Sequence, residues 1–161
     1  MKTMGSSKNR KGFTIIEMVI AMVIITVILL VVVPLGQAAM DNSRLSNAIA
    51  SIKAIQTAAV EWENDNGGTY SGISFANLAA PTSGTAYLPA QFSATSTNAW
   101  NGDYVIAADS SNNEQLDITL TNVPSVVQSK LTAALTKIAV VAPSYTAATT
   151  STPSSWKIVV E

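Results

Sequence analysis

Lys11-Gly12-Phe13-Thr14-Ile15-Ile16-Glu17, with the apolar run that follows it as far as Gly36, decides how this chain is read. Residues 18–35 carry no charge, Thr26 is the only polar side chain among them, and Pro34 stands near their end. About 20 apolar residues in a helix cross the hydrocarbon core of a bilayer. Lys8, Arg10 and Lys11 immediately before the run hold its start on the cytoplasmic side. Glu17 breaks the pattern. A carboxylate in an apolar helix costs about 2.5–3.5 kcal/mol on insertion scales, so such residues are usually functional. The plainer reading keeps Glu17 hydrated near the membrane surface.

Gly12, Phe13 and Glu17, behind a basic leader and ahead of an apolar helix, resemble the class III signal of type IV pilins and their relatives. The resemblance implies that a prepilin peptidase cuts after Gly12 and N-methylates Phe13. It implies that Glu17 then meets the new amine of Phe13 on a neighbouring subunit during assembly. It also makes Pro34, with Gly36, the helix break that loosens when the subunit leaves the bilayer. A harmless bend at the membrane surface is the other reading of these two residues. An ordinary secretory signal is a rival for the whole segment, since the small residues Ala38-Ala39 after Gly36-Gln37 imitate a cleavage site. That rival predicts a soluble exported protein, and the length of the apolar run and Glu17 both oppose it. Met4 is a second candidate for the first residue.

Composition narrows the function classes. The chain has 161 residues, enough for one modest domain beside a long helix. Lys and Arg number 9 and Asp and Glu 10. Removal of residues 1–12 takes away Lys2, Lys8, Arg10 and Lys11, leaving five basic side chains against ten acidic ones. A mildly acidic exported domain offers no strongly basic nucleic-acid surface. With no cysteine there is neither a disulfide framework nor a thiolate metal site. With no histidine the commonest general base and metal ligand is missing.

Residues 13–65 read as one helix. In its second half Leu45, Ile49, Ile52, Ile55, Ala59 and Trp62 recur at steps of three and four, which draws one apolar face. Asn66-Gly67-Gly68 is a helix stop. Residues 69–101 form a polar loop pinned by Ile73, Phe75, Leu78, Tyr87, Leu88 and Phe92, with a short helical turn expected at 74–79. Asn101-Gly102 signals a turn. Residues 104–107 and 115–121 read as strands, the second from the strict alternation of Leu116-Asp117-Ile118-Thr119-Leu120. Pro124 opens a second helix near 124–140, whose apolar face is Val127, Leu131, Ala134, Leu135 and Ile138. A Ser/Thr-rich loop, which could carry glycans, follows Pro143 as far as Ser155, and residues 156–160 close the chain as a strand.

Trp100-Asn101-Gly102 and Asn122-Val123-Pro124 resemble the head of type IVb-like pilins. The chain departs from that pattern in lacking the family's cysteine pair, with Gln128 about where one cysteine would stand. Its short leader and Phe13 are more like type IVa. Strand pairing and packing alone must then hold the C-terminal segment. No catalytic constellation appears. Asp103, Asp109, Glu114 and Asp117 read as solvated turns and strand faces, and the 109–114 stretch is a poor calcium loop.

The reading is an α+β pilin fold, a long N-terminal helix packed on a small antiparallel sheet. Its divisions are a leader at 1–12, a transmembrane and filament-core half of the helix at 13–36, an amphipathic half at 37–66, and a globular head at 67–161. The resemblance implies a structural subunit, a major pilin, of a type IV pilus. It would have no cofactor and no enzymatic activity. The precursor would sit in the bacterial inner membrane and end in an extracellular filament. Partners would be further pilin subunits, the prepilin peptidase and the inner-membrane assembly machinery. Adhesion, motility and DNA uptake are the roles it suggests. A minor pilin or a type II secretion pseudopilin shares every N-terminal feature, and a membrane-anchored exported enzyme is the remaining alternative.

Overall fold

Ile15–Asp65 forms a single α-helix of 51 residues, α1. A computed structural model of the chain describes residues 12–81, 84–92, 97–149 and 154–161. The basic leader through Lys11, Thr82-Ser83, Ser93 to Ser96 and most of the tip of the Ser/Thr-rich loop (150–153) lie outside the described residues. Two compact units emerge, Met1–Met40 and Asp41–Glu161.

The first unit is helical from Ile15 onward, and its apolar side chains all face outward. Ile15, Met22 and Leu30 are each more than two-thirds exposed. Such a surface is stable only against lipid or other protein. Helical structure runs without interruption through Pro34 and Gly36. Proline deletes one backbone donor and crowds the carbonyl one turn earlier, here that of Leu30. The intact bonds on either side are enough to carry the helix past that loss.

In the second unit, α1 contributes Ala48, Ile52, Ile55, Ala58 and Ala59, all buried, to one hydrophobic core. Leu45, Ile49 and Trp62 flank it half-buried. The helix stops where the sequence places the stop: Gly67 takes φ 79° and the Gly68 N–H donates to the Glu63 carbonyl at 2.9 Å. That bond closes a Schellman cap. A short helix, α2 (Phe75–Ala79), follows with Ser74 as its cap, the Ser74 hydroxyl accepting the Asn77 N–H.

Four strands make one antiparallel sheet in the order β1-β2-β4-β3: β1 Tyr104–Ala108, β2 Leu116–Thr121, β3 Val141–Thr146 and β4 Ser155–Val160. Register puts Ile106 opposite Ile118 and Ile118 opposite Ile158. Leu120 faces Trp156, and Leu116 faces Val160. These side chains form the buried face of the sheet, as period-two alternation requires. A third helix, α3 (Ser125–Leu135), lays Val127, Leu131 and Leu135 into the same core. Trp156 is fully buried, and its indole N–H donates to the Thr132 hydroxyl at 3.2 Å. In the absence of cysteines, β4 is held on both flanks, by β2 and by β3.

Two details differ from the sequence reading. The second helix ends at Leu135, short of residue 140, and Val141–Thr146 is an edge strand where a loop was expected. Val140 donates its N–H to the Val159 carbonyl at 2.9 Å, which draws the chain out of the helix and onto β4. The register shifts between Val141 and Ser144, and Pro143 sits in that irregularity, where a missing donor does no harm.

Candidate functional site

The N-terminal junction is built from the first turn of α1. Gly12 and Phe13 precede the helix in non-helical backbone, and Phe13 is 84 % exposed. The Gly12–Phe13 bond is therefore open to an enzyme. Thr14 occupies the N-cap position and Glu17 the third helical position. The Thr14 N–H donates to Glu17 Oε2 at 2.8 Å, and the Thr14 hydroxyl donates to the same oxygen at 2.8 Å. In return the Glu17 N–H donates to Thr14 Oγ1 at 3.3 Å. This reciprocal arrangement is a capping box. It satisfies backbone donors that have no partner within the helix and would otherwise be stranded at the edge of lipid.

The structure thus gives Glu17 a partner that sequence reasoning missed, Thr14. The signal was present as Thr-x-x-Glu ahead of an apolar run. Phe13 is not among the hydrogen-bond partners of Glu17 in the uncut chain. Pro34 and Gly36 lie further along the same helix and take no part in the junction. Thr26, the one polar residue of the apolar run, donates its hydroxyl to the Met22 carbonyl at 2.8 Å and so presents no free donor to lipid.

In the head, the turn 98–102 is a polar knot. Asn98 is 4 % exposed. Its Oδ1 accepts the N–H groups of Trp100 and Gly102 at 2.9 and 3.1 Å, and its Nδ2 donates to the Thr121 carbonyl at 2.7 Å. Asn101 at φ 58° and Asn122 at φ 62° take the left-handed conformation, and Asn122 Nδ2 donates to the Trp100 carbonyl at 2.9 Å. The two asparagine signals of the sequence therefore form one locked corner joining β1 to the end of β2. On the outer face of the sheet Lys157 Nζ lies 2.6 Å from Asp117 Oδ2 and 4.0 Å from Asp109 Oδ2. The Ser111 N–H donates to Asp109 Oδ1 at 2.7 Å, and that bond is the main cause of an Asp109 carboxyl below the usual range. Among the described residues no group of three or more acidic, cysteine or histidine side chains is placed to hold a metal ion. Asp103 is exposed and bridges Thr97, its N–H donating to Thr121 Oγ1 at 2.7 Å, and Glu114 stands at an exposed turn.

Residues 7–33 match the family model described as the prokaryotic N-terminal methylation motif. Comparison of the chain with curated proteins and with solved structures returned no match. The match covers Lys8, Arg10 and Lys11, the Gly12–Phe13 pair, Glu17 and the apolar run as far as Val33. With α1 and a four-stranded antiparallel sheet beside it, the chain has an α+β arrangement like the pilin fold. Its N-terminus has the form of a type IV pilin-like class III signal.

Proposed function

We propose that this chain is a structural subunit, a major pilin, of a type IV pilus. The observation that carries the reading is the methylation motif at residues 7–33, set on the first half of a helix whose large apolar residues there, from Ile15 to Leu35, are exposed. The precursor waits in the inner membrane, anchored by the first half of α1. A prepilin peptidase cuts after Gly12 and methylates the new N-terminus at Phe13. The subunit then leaves the bilayer and buries its apolar helix against further copies. Pro34 and Gly36 are where the helix yields during that transfer, because the Leu30 carbonyl has already lost its backbone partner there.

Glu17 has a defined task in this scheme. A carboxylate entering a low-dielectric filament core needs a cationic partner. The amine of Phe13 on a neighbouring subunit is made by the cut itself and lies in the same stretch of helix. Thr14 holds the carboxylate in one rotamer until that amine arrives. The motif's family is structural, and we assign the head no enzymatic activity. A low-copy minor pilin or a type II secretion pseudopilin would carry the same motif, and abundance separates them. The deciding experiment is mass spectrometry of material sheared from the cell surface. A dominant protein beginning at N-methylated Phe13 is the expected result. Processed chain confined to the membrane at trace level would overturn the major-pilin role in favour of a minor pilin or pseudopilin. A chain cut near Ala38 would overturn the class III processing altogether.

A further inference from the structure

The outer face of α1 in the head carries charged side chains with no oppositely charged partner among the described residues. Among the described residues only Lys157 forms an ion pair. Lys53 is exposed on α1, and its neighbours one turn away, Ile49 and Thr57, offer it no charge. About two turns further along α1 stands Glu61, also exposed, and one turn beyond it Asp65. Eight residues of helix separate Lys53 from Glu61, about 12 Å of rise, too far for a direct pair.

The end of α1 is electrostatically uncompensated. Glu61, Glu63 and Asp65 crowd its final turns, and no basic residue accompanies them. Negative charge there opposes the helix dipole, and Glu61 and Asp65 are like charges four residues apart. The Tyr87 phenol donates to Asp65 Oδ2 at 2.9 Å, and its ring packs edge-on to Trp62 with centroids 5.8 Å apart. Both carboxylates act on that phenol and raise its pKa, chiefly through the bond to Asp65. The result is an exposed acidic corner beside an aromatic pair, a combination that receives a cation well.

We propose that this face of α1 is a contact surface for a second copy of the chain, in which Lys53 of one copy sits between Glu61 and Asp65 of the next. The proposal rests on the filament reading above. Where two copies pack in parallel along this stretch of α1, a contact between two different heights displaces each copy along the helix axis by about 12–18 Å, the rise from Lys53 to Glu61 and to Asp65. Such a contact is heterologous. It leaves an unused Lys53 at one end and an unused acidic corner at the other, and therefore repeats without closing. The long, flexible lysine stem suits it to bridging two carboxylates across a shifted neighbour.

The chain has no native cysteine, which makes the test direct. Full-length protein carrying Lys53→Cys and Glu61→Cys together is treated on intact cells with a short bismaleimide. A ladder of dimers, trimers and longer species is the expected result, with each single variant giving dimers at most. Dimers alone from the double variant would mean a symmetric contact and would overturn the proposal. No cross-link in cells that still shed filaments would overturn it while leaving the filament reading intact. No cross-link and no filaments from the unmodified chain would overturn both. Charge reversal supplies an independent readout. Lys53→Glu places like charges at every subunit contact and should cut sheared filament about tenfold, and adding Glu61→Lys should restore it. Normal filaments from the Lys53→Glu variant would sink the pairing.

Discussion

Glu17 Oε2 accepts two hydrogen bonds from Thr14, one from its N–H and one from its hydroxyl, both at 2.8 Å. The carboxylate that a membrane segment should avoid is thus spent, in the isolated chain, on finishing the helix that carries it. The Thr14 hydroxyl serves both ends of this arrangement, donating to the Glu17 carboxylate and accepting the Glu17 N–H.

Replacing that hydroxyl with a methyl is the sharpest test. Thr14→Val keeps the shape but removes the acceptor for the Glu17 N–H and one donor to its carboxylate. Loss of an N-cap side chain costs about 1 kcal/mol, roughly a fivefold rise in the open population of the first turn. Amide hydrogen exchange in detergent micelles should show Thr14 and Glu17 accelerated by about that factor. Residues from Met22 onward should be unchanged. Unaltered exchange at Glu17 would show that the capping box does not hold the turn.

Processing and assembly separate cleanly at this junction. Gly12→Val crowds the exposed bond before Phe13 and should leave an uncut precursor in the membrane. Glu17→Ala leaves the apolar run intact and should insert and be cut normally, yet yield at least tenfold less filament, because the amine of Phe13 then has no carboxylate to meet in a dry core. Immunoblots of membrane and sheared fractions distinguish the two. A mature-size band from Gly12→Val would rule out the cleavage site, and normal filaments from Glu17→Ala would rule out the pairing.

Much of this was legible before any coordinates. Charge-free length fixed the first half of α1, and Ile52, Ile55 and Ala59 at helical spacing gave the face that the sheet covers. Leu116, Ile118 and Leu120 announced β2 by alternation. Ala48 and Ala58, fully buried on α1, escaped notice because an apolar stripe is drawn by bulky residues and alanine marks close approach only once the partner is known. The edge strand β3 was invisible for a different reason. Val141 is half exposed, and none of the strand's residues is buried. No alternation was written into it, and Pro143 argued against a strand at all. Asn98 looked like one more polar loop residue, since its role comes from Thr121, which is close only in the folded chain.

The corner that Asn98 organises makes a further prediction. A Cβ on Gly102 would lie 2.0 Å from the Thr121 carbonyl oxygen and 2.5 Å from its carbon. Backbone of β2 cannot retreat without losing the Asn98 bonds or the β1–β2 register. Gly102→Ala should therefore cost about 3 kcal/mol, at the upper end for overpacking. For a domain of this size that is roughly 10–20 °C in melting temperature. Tryptophan fluorescence of full-length protein in detergent is the measurement, because Trp100 and Trp156 report the head while far-ultraviolet signal is dominated by α1. Gly68→Ala is the control, since Gly68 has φ 78° but open space around it, and about 1 kcal/mol is expected. Equal losses from the two variants would remove steric crowding as the cause.

Alkaline stability should be set in part by Tyr70. Its side chain is 1 % exposed, and burial, helped by a hydrogen bond and negative charge from Glu63, pushes the phenol from 10.0 to about 12. Below pH 10 the folded and unfolded chains hold the proton equally, and Tyr70 adds no pH dependence. Between about pH 10 and 12 the unfolded chain releases it while the native chain keeps it, so unfolding gains and stability falls as pH rises. Tyr87 and Tyr104, whose phenols are also raised, add to the same decline. Denaturant titrations at intervals from pH 8 to about 11.5 should show a steepening loss for the unmodified chain and a shallower one for Tyr70→Phe. The two should differ little in slope below pH 10. A Tyr70→Phe variant that loses stability just as steeply in alkali would show that the proton is not held by this phenol.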